Sequence, residues 1–312
     1  MRVDNRFVHK TTGRWRLGFI LALSTAALWG VLPIALKVVL KVLDPYTVTW
    51  VRFAFSGLFL GSVLAATGGL PRLETLSRRA WVLLFIAFAG LAGNYVLYIV
   101  ALDHTSPTIS QTVAQLGPML LLLGGLFIFK ERFSGLQWLG FAVLLAGLVL
   151  FFHNRLLELR HLSVGLGLGV VFLVIAAFVW SAYGLAQKRL LRWLGPQQIL
   201  LFVYVAATIV LFPWTALEPI RHVTFLQLSM LAFCCLNTLF AYGAFAEGLK
   251  HWEVSRISAV LATAPLFTIA AMWIVGRLVP DLVTSEHLDS LSLLGTMFVV
   301  AGSITCASAR RS

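Results

Sequence analysis

Long apolar stretches follow one another along nearly the whole chain and are separated by short polar segments. Ten runs of 18 to 26 residues contain no Asp, Glu, Lys or Arg: 17–36, 53–70, 80–102, 105–129, 133–152, 162–187, 193–217, 222–246, 257–276 and 290–309. A membrane-spanning helix needs about 20 mostly apolar residues. None of the runs alternates apolar and polar positions as the strands of a membrane barrel do. The pattern therefore predicts ten transmembrane helices, the second of which begins near Tyr46 and contains Arg52.

The composition places the chain in the membrane class. Apolar residues make up 60% of the 312 residues, charged residues only 12%, and the mean hydropathy is +0.92. Soluble domains carry about 25% charged residues, so the soluble, disordered and nucleic-acid-binding classes are excluded. We expect an all-α integral membrane protein whose partners are the lipid bilayer and a small-molecule substrate.

Lysine and arginine indicate the orientation in the membrane. The formal net charge is +12. If the N-terminus is cytoplasmic, sixteen basic residues fall in cytoplasmic segments and six in external ones, which is the bias that the positive-inside rule describes. We therefore expect a multi-pass protein of a bacterial inner membrane with both termini in the cytoplasm. Residues 1–16 are predicted to form a basic cytoplasmic segment.

The two halves of the chain share a pattern of matching residues. Shifts of 147 to 155 residues superpose, in colinear order, Trp29/Trp180, Lys37/Lys188, Pro45/Pro196, Tyr95/Tyr242, Leu102/Leu249, His104/His251, Pro118/Pro265, Gly140/Gly295 and Gly147/Gly302. The repeats, 17–152 and 162–309, hold five spans each, and an odd number requires that they insert in opposite directions. Inverted repeats with a binding site at mid-membrane are typical of secondary transporters.

Several short stretches carry a more specific likeness. They are Trp29-Gly30 with Lys37, Leu116-Gly117-Pro118-Met119, Lys130-Glu131-Arg132-Phe133-Ser134, Gln137-Trp138-Leu139-Gly140 and Ala146-Gly147. With them the chain resembles the drug/metabolite transporter superfamily, specifically its ten-helix exporters built from two EamA-type domains. The second repeat departs from the pattern, since Gly276-Arg277-Leu278 stands where the Glu131 turn would be. The resemblance implies a secondary transporter that exports amino acids or similar small metabolites by alternating access.

Aromatic and amide side chains near the middle of the spans are candidates for a substrate cavity. Trp and Tyr normally favour the membrane interface, and an amide in hydrocarbon is costly unless it is paired. The candidates are Trp29, Asn94, Tyr98, Gln111, Gln115, Trp180, Tyr183 and Tyr242. Core packing and hydrogen bonds between helices are the alternative explanation for the same residues.

Two prolines and two charged residues complete the candidates. Pro118 and Pro265 lie at equivalent positions inside the fourth and ninth spans. Proline removes a backbone hydrogen bond and kinks a helix, so both are candidates for gating, with plain packing as the alternative. Glu247 and Arg256 flank the short turn between the eighth and ninth spans and form a candidate ion pair.

Other function classes find less support. The sequence contains no HExxH, CxxC, GxSxG or P-loop motif, so neither an enzyme, a metal or cofactor site, nor ATP drive through a partner ATPase is predicted. An uptake carrier of the same fold, for a nucleotide-sugar, a cation or another metabolite, stays open, and a membrane enzyme or scaffold is less favoured. A phosphorylated substrate would require several basic groups in the cavity, and only Arg52 is available there.

Overall fold

The computed structural model describes residues 11–131, 133–154, 164–278 and 289–308. Most of the predicted basic segment 1–16 therefore lies outside the described residues, as does the start of the second repeat. Within the described ranges all regular structure is helical. The helices are α1 (Trp15–Val39), α2 (Pro45–Ala66), α3 (Arg78–His104), α4 (Pro107–Ala114), α5 (Leu116–Ile128), α6 (Gly135–Phe151), α7 (Val164–Leu190), α8 (Pro196–Leu211), α9 (Phe225–His251), α10 (Val254–Leu261), α11 (Ala264–Leu278) and α12 (Ser290–Ser308).

These helices make the ten predicted passes. In the part of the chain that the structure describes, nine stretches are long and apolar enough to cross a bilayer, and α6 adds a shorter apolar helix of 17 residues. The fourth pass consists of α4 and α5, and the ninth of α10 and α11. Large apolar side chains such as Leu58, Phe85 and Phe127 are exposed on the outside of the bundle, where lipid tails would cover them.

Polar residues in the short connections determine where the passes begin. Asp44 precedes α2 and accepts hydrogen bonds from the backbone N–H groups of Tyr46 (2.9 Å) and Thr47 (3.0 Å). Ser134 and Gln137 form a capping box at the start of α6. Such caps satisfy N–H groups that have no partner inside the helix, so the apolar runs acquire defined ends in the interfacial region.

The equivalent helices α6 and α12 show directly that the repeats are inverted. At one end of the pair, the Gln137 side-chain amide on α6 donates to the carbonyl oxygen of Cys306 near the end of α12 (3.1 Å). At the other end, the Ser292 hydroxyl near the start of α12 donates to the carbonyl oxygen of Phe151 (3.2 Å). The two helices thus run antiparallel. Since they are the fifth helices of their repeats, the whole repeats have opposite orientations.

Glycines allow this pair of helices to approach closely. A methyl group added at Gly140 would lie 2.8 Å from the backbone nitrogen of Cys306, and one at Gly147 would lie 2.5 Å from that of Val299. Both distances are below van der Waals contact. The Leu-Gly-x5-Ala-Gly pattern that recurs in the two repeats is therefore a packing requirement of the α6–α12 interface.

The centre of the bundle is formed by helices from both repeats. Helix α1 packs along α9, and the corresponding helices α3 and α7 pack along each other. Both pairs are antiparallel and are joined by hydrogen bonds, such as Asn237 to the carbonyl oxygen of Leu28 (2.6 Å) and Asn94 to that of Ala176 (3.0 Å). The largest buried apolar cluster includes residues of all four helices.

Candidate functional site

A cavity of about 110 Å³ lies at the centre of the bundle, where the two repeats meet. Its wall combines aromatic and polar side chains with small and apolar ones from α1, α2, α3, α5, α7 and α9 and from the two interrupted passes. The aromatic and polar lining residues are Trp29, Arg52, Asn94, Tyr95, Tyr98, Gln111, Gln115, Trp180 and Tyr242. Seven of the eight predicted cavity residues are thus brought together by the fold.

Tyr183 is the predicted cavity residue that does not line the cavity. It is fully buried, and its ring packs against Tyr242 (6.0 Å between centroids) and Phe245 (6.1 Å). It follows Trp180 by one turn of α7 and so lies one layer below the cavity. The sequence position of Tyr183 predicts that the residue lies near the middle of the membrane. Whether its ring faces the cavity or the layer below depends on how α7 packs against its neighbours.

The aromatic part of the wall consists of residue pairs that are equivalent in the two repeats. Trp29 and Trp180 meet edge to face with ring centroids 5.5 Å apart, and Trp29 also packs on Tyr242 at 4.9 Å. Tyr95 and its equivalent Tyr242 have centroids 5.4 Å apart. Aromatic pairs prefer such offset or edge-on arrangements, so the wall is a continuous, well-packed aromatic surface.

Two of the three amide side chains in the wall also connect helices. Gln111 on α4 donates to the carbonyl oxygen of Trp29 on α1 (3.0 Å), whereas Gln115 donates to the carbonyl oxygen of Gln111 in its own pass (3.3 Å). Asn94 joins α3 to α7 through Ala176. Gln111 and Asn94 therefore both join two helices and line the cavity, so the two explanations that the sequence left open apply to them together.

Several polar atoms in the wall have no hydrogen-bond partner among the described residues. They are the indole N–H of Trp29, the hydroxyl group of Tyr98 and the side-chain oxygen of Gln115. Buried polar groups are nearly always satisfied by protein, water or ligand. Since the three side chains line the cavity, these groups are candidates for hydrogen bonds with a polar small molecule.

The cavity is also where both interrupted passes break. Helix α4 ends at Ala114 and α5 begins at Leu116, just before Pro118, and α10 ends at Leu261, shortly before Pro265. Pro118, Ala114 and Leu261 line the cavity. Irregular backbone at membrane depth is tolerated where it is buried in protein or lines a cavity, and discontinuous helices that meet at a central site are characteristic of transporters.

The cavity extends from the aromatic pair toward the end of the bundle where α1 ends and α7 begins. Leu32 and Ile99, which follow Trp29 and Tyr95, line it, as does Leu173, which precedes Trp180 in the antiparallel helix α7. In the opposite direction the centre is closed by buried side chains, among them Tyr183, Phe245 and Leu249. We call the end of the bundle where α1 ends and α7 begins the Lys37 end, and the opposite end the Lys188 end.

Two charged residues hold the closed, Lys188 end together. The buried ammonium group of Lys188 on α7 donates to the carbonyl oxygens of Leu249 and of Trp252 (3.2 Å), at the end of α9. The carboxylate of Glu131, which follows α5, accepts the backbone N–H groups of Val254 (2.9 Å) and Ser255 (3.0 Å), at the start of α10. Each charge has the sign that its helix end favours, and together they fix the α9–α10 turn.

The equivalent arrangement is missing at the Lys37 end. Lys37 corresponds to Lys188, and the α3–α4 turn corresponds to the α9–α10 turn. In the described ranges no hydrogen bond of the Lys37 side chain is found, and its ammonium group is only partly buried. Both ends of the bundle thus contain the equivalent lysine and turn, but the lysine bonds to the turn only at the Lys188 end.

The structure gives Glu247 and Arg256 partners other than the ion pair that the sequence predicts. Glu247 pairs with Lys250 (3.0 Å) and His251 (3.0 Å), while Arg256 pairs with Glu253 (3.4 Å) and donates to the carbonyl oxygen of Ala307 (2.9 Å). The partner side chains lie three or four residues away in the sequence, a spacing that brings side chains together on a helix, whereas the Ala307 carbonyl belongs to α12.

Comparison with known proteins supports the repeat architecture. The sequence profile described as "EamA-like transporter family" matches residues 16–153 and again residues 167–307. The chain belongs to this family. It is thus a multi-pass membrane protein of a transporter family, and its two halves are two copies of the EamA unit.

Relatives in the family extend over nearly the whole chain. An "Uncharacterized inner membrane transporter YhbE" of Escherichia coli K12 is 41% identical over 296 residues, which cover 95% of this chain and 92% of the relative. An "Uncharacterized transporter" of Haemophilus influenzae is 38% identical and covers 93% and 94% of the two chains. A "Probable amino-acid metabolite efflux pump" of E. coli K12 is 24% identical and covers 91% and 92%. A solved crystal structure at 19% identity superposes with a TM-score of 0.72 over 93% of this chain and 96% of its own, which supports the fold alone.

Three features of this EamA-like site were not anticipated from the sequence. Tyr95 lines the cavity although it was not among the predicted contacts, and its match with Tyr242 in the repeat was the available signal. The roles of Lys188 and Glu131 depend on which helix ends meet in the fold. The match of Lys188 with Lys37 in the repeat indicated that the position matters, but it did not indicate that the lysine bonds to the carbonyl oxygens at the end of α9.

Proposed function

We propose that this protein is a secondary transporter of the inner membrane that exports amino acids or similar small metabolites, with the central cavity as its substrate site. The observation that carries the proposal is the meeting of equivalent aromatic residues from two inverted repeats at one cavity. A site with apolar walls and a few oriented polar groups suits a small ligand with both kinds of surface. The relative named as a probable amino-acid metabolite efflux pump supports the substrate class.

Transport proceeds by alternating access, in which the two repeats exchange conformations around the cavity. The unequal ends of the bundle support this mechanism. At the closed end Lys188 bonds to the α9–α10 turn, whereas Lys37 lacks the equivalent bonds. In the opposite state Lys37 would bond to the α3–α4 turn, near Leu102 and Thr105, and Lys188 would release its own. Pro118 and Pro265, at the two helix breaks, are the proposed bending points.

Both termini lie in the cytoplasm in this proposal. The support is the excess of basic residues, sixteen against six, in the segments that would then be cytoplasmic. The Lys188 end is then cytoplasmic and closed, and the cavity extends toward the periplasm. A reporter that is active only in the periplasm, fused after Ser312, should be silent, and strong activity would contradict the orientation.

The same fold could also serve an uptake carrier for a phosphorylated substrate such as a nucleotide-sugar. The cavity lining does not favour it, because among the described residues Arg52 is the one basic side chain that lines the cavity and a phosphate ester is normally bound by several cations. Flux measurements on the purified protein in liposomes, with amino acids and other small metabolites as substrates, test the proposed function.

A further inference from the structure

Arg52 is a charged residue in the interior of the bundle for which the fold offers no obvious reason. It lies within α2, lines the central cavity and is only 2% exposed. Its Nε donates a hydrogen bond to the hydroxyl oxygen of Thr238 (2.9 Å), and its guanidinium carbon lies 4.4 Å from the centroid of the Tyr95 ring. These contacts orient the group beside the aromatic wall.

No carboxylate neutralises this arginine. Among the described residues none of the ion pairs involves Arg52, and neither Asp nor Glu lines the cavity. The guanidinium group has five N–H donors, and the hydrogen bond to Thr238 uses one. Charged residues inside a membrane are expensive and pair with each other or mark the path of a substrate. The remaining N–H donors of Arg52 are therefore available to an acceptor group of a molecule that enters the cavity.

The second repeat shows that the fold does not require a charge at this position. The shift of 151 residues that superposes Pro45 on Pro196 places Val203 where Arg52 stands. Val203 is completely buried in α8, so an apolar side chain fills the equivalent place. The arginine is thus a feature of the cavity rather than of the architecture.

The neighbouring polar groups favour an anionic ligand of small size. Trp29 and Tyr98 line the same cavity, and each carries an N–H or O–H group without a hydrogen-bond partner among the described residues. Together with Arg52 they form a set dominated by donors, which suits the two oxygens of a carboxylate. The cavity has a volume of about 110 Å³, and apart from three amide side chains the rest of its wall is aromatic and apolar, which suits a small molecule with an apolar side chain.

We propose that Arg52 binds the carboxylate group of the transported molecule and thereby selects amino acids and other small monocarboxylates. The inference rests on the proposed function and narrows it to one substrate class. In an amino acid, the ammonium group would be received by the unpartnered side-chain oxygen of Gln115. An amine or an amide of the same shape lacks the anionic group and would bind more weakly.

Binding of matched acids and amides to the purified protein in lipid nanodiscs tests this role. We would titrate L-phenylalanine, L-leucine and L-threonine and the corresponding amides calorimetrically. On the wild-type protein at least one acid should bind, and its amide should bind at least tenfold more weakly. In Arg52→Gln the acid should weaken at least tenfold while the amide is nearly unaffected, so that the preference disappears. Arg52→Lys should restore part of it.

Arg277→Gln is the matched control, since it makes the same substitution at an exposed position of α11 outside the cavity lining, and it should retain the preference for acids. Equal binding of an acid and its amide to the wild type, no binding of any of the acids, or an unchanged preference in Arg52→Gln would each overturn the proposal. The first and second results come from the wild-type protein and do not depend on how well the variants fold. If the protein carries an amide or amine into liposomes but binds no acid, the carboxylate role fails while the transport function stands.

Discussion

Trp29 and Trp180 occupy equivalent positions in the two repeats and contact each other edge to face, with ring centroids 5.5 Å apart. Two residues related by a two-fold axis can touch only close to that axis. The same holds for Tyr95 and Tyr242, at 5.4 Å. The pseudo-two-fold axis of the protein therefore passes through the aromatic wall of the cavity. A site on the axis keeps both repeats in contact with the substrate while they exchange conformations.

Loss of the Tyr98 hydroxyl should weaken binding without weakening the fold. The Tyr98 side chain lines the cavity and its hydroxyl group has no hydrogen-bond partner among the described residues, so Tyr98→Phe removes no hydrogen bond of the protein. We expect a threefold to tenfold loss of substrate affinity, about 1 kcal/mol, at unchanged thermal stability. The matched control is Tyr204→Phe. Tyr204 lies outside the cavity lining and donates to the carbonyl oxygen of Thr238 (3.1 Å), so its loss should cost stability instead. The opposite pattern would remove Tyr98 from the substrate site.

The two equivalent lysines should have opposite effects on access. Lys188→Met removes the bonds to the α9–α10 turn and should increase the exposure of the cavity at the Lys188 end. Lys37→Met should leave the observed state intact and disfavour the opposite one. Labelling of single cysteines at each end, in a background without Cys234, Cys235 and Cys306, measures this exposure. If both variants label like the parent, the lysines do not control access.

The prolines at the helix breaks should also bias the two states in opposite directions. Pro118→Ala allows α4 and α5 to join, and Pro265→Ala does the same for α10 and α11, because alanine restores the missing backbone donor. The same labelling experiment reads the effect. Pro33→Ala is the matched control, since Pro33 lies inside the unbroken helix α1. Labelling of all three variants that matches the parent would reduce the prolines to packing features.

A small side chain at the α6–α12 contact should destabilise the protein. Gly147→Ala places a methyl group 2.5 Å from the backbone nitrogen of Val299, and such overpacking costs about 1–3 kcal/mol. Gly243→Ala is the control, since no other atom lies within 4 Å of the added group, and in the helix α9 it should stabilise by up to about 1 kcal/mol. Thermal unfolding in detergent distinguishes the two. Equal stability of both variants would contradict the close approach of these helices.

The passes were predictable from the sequence for two reasons. In lipid each backbone polar group must be hydrogen-bonded within the protein, which a helix achieves, and the helix surface that faces lipid must be apolar. The inverted repeat followed from the odd number of passes, and the antiparallel contact of α6 with α12 bears it out. Mid-membrane polar and aromatic residues indicated most of the cavity for a similar reason, since a polar group at that depth is costly unless it faces the interior of the bundle.

The contacts that depend on packing between distant helices were not predictable in this way. Tyr183 has the same depth and residue type as its neighbours, yet it points into the layer below the cavity. Glu247 and Arg256 are close in sequence but each found a partner on its own helix face. Lys188 could be identified as equivalent to Lys37, but its carbonyl partners belong to α9 and the turn after it, which only the folded arrangement brings together.

Transport by the purified protein in liposomes tests the central claim, that the cavity between the repeats is the substrate site of a secondary transporter. Uptake of radiolabelled amino acids and other small metabolites would be followed without ATP, for the wild type and for Trp180→Ala, with Trp273→Ala, on the exposed outer face of α11, as control. The account predicts saturable flux for the wild type and the control and its loss in Trp180→Ala, provided that the variant remains folded by gel filtration. Undiminished flux and affinity in Trp180→Ala would contradict it, as would the absence of wild-type flux both for amino acids and for the other small metabolites tested.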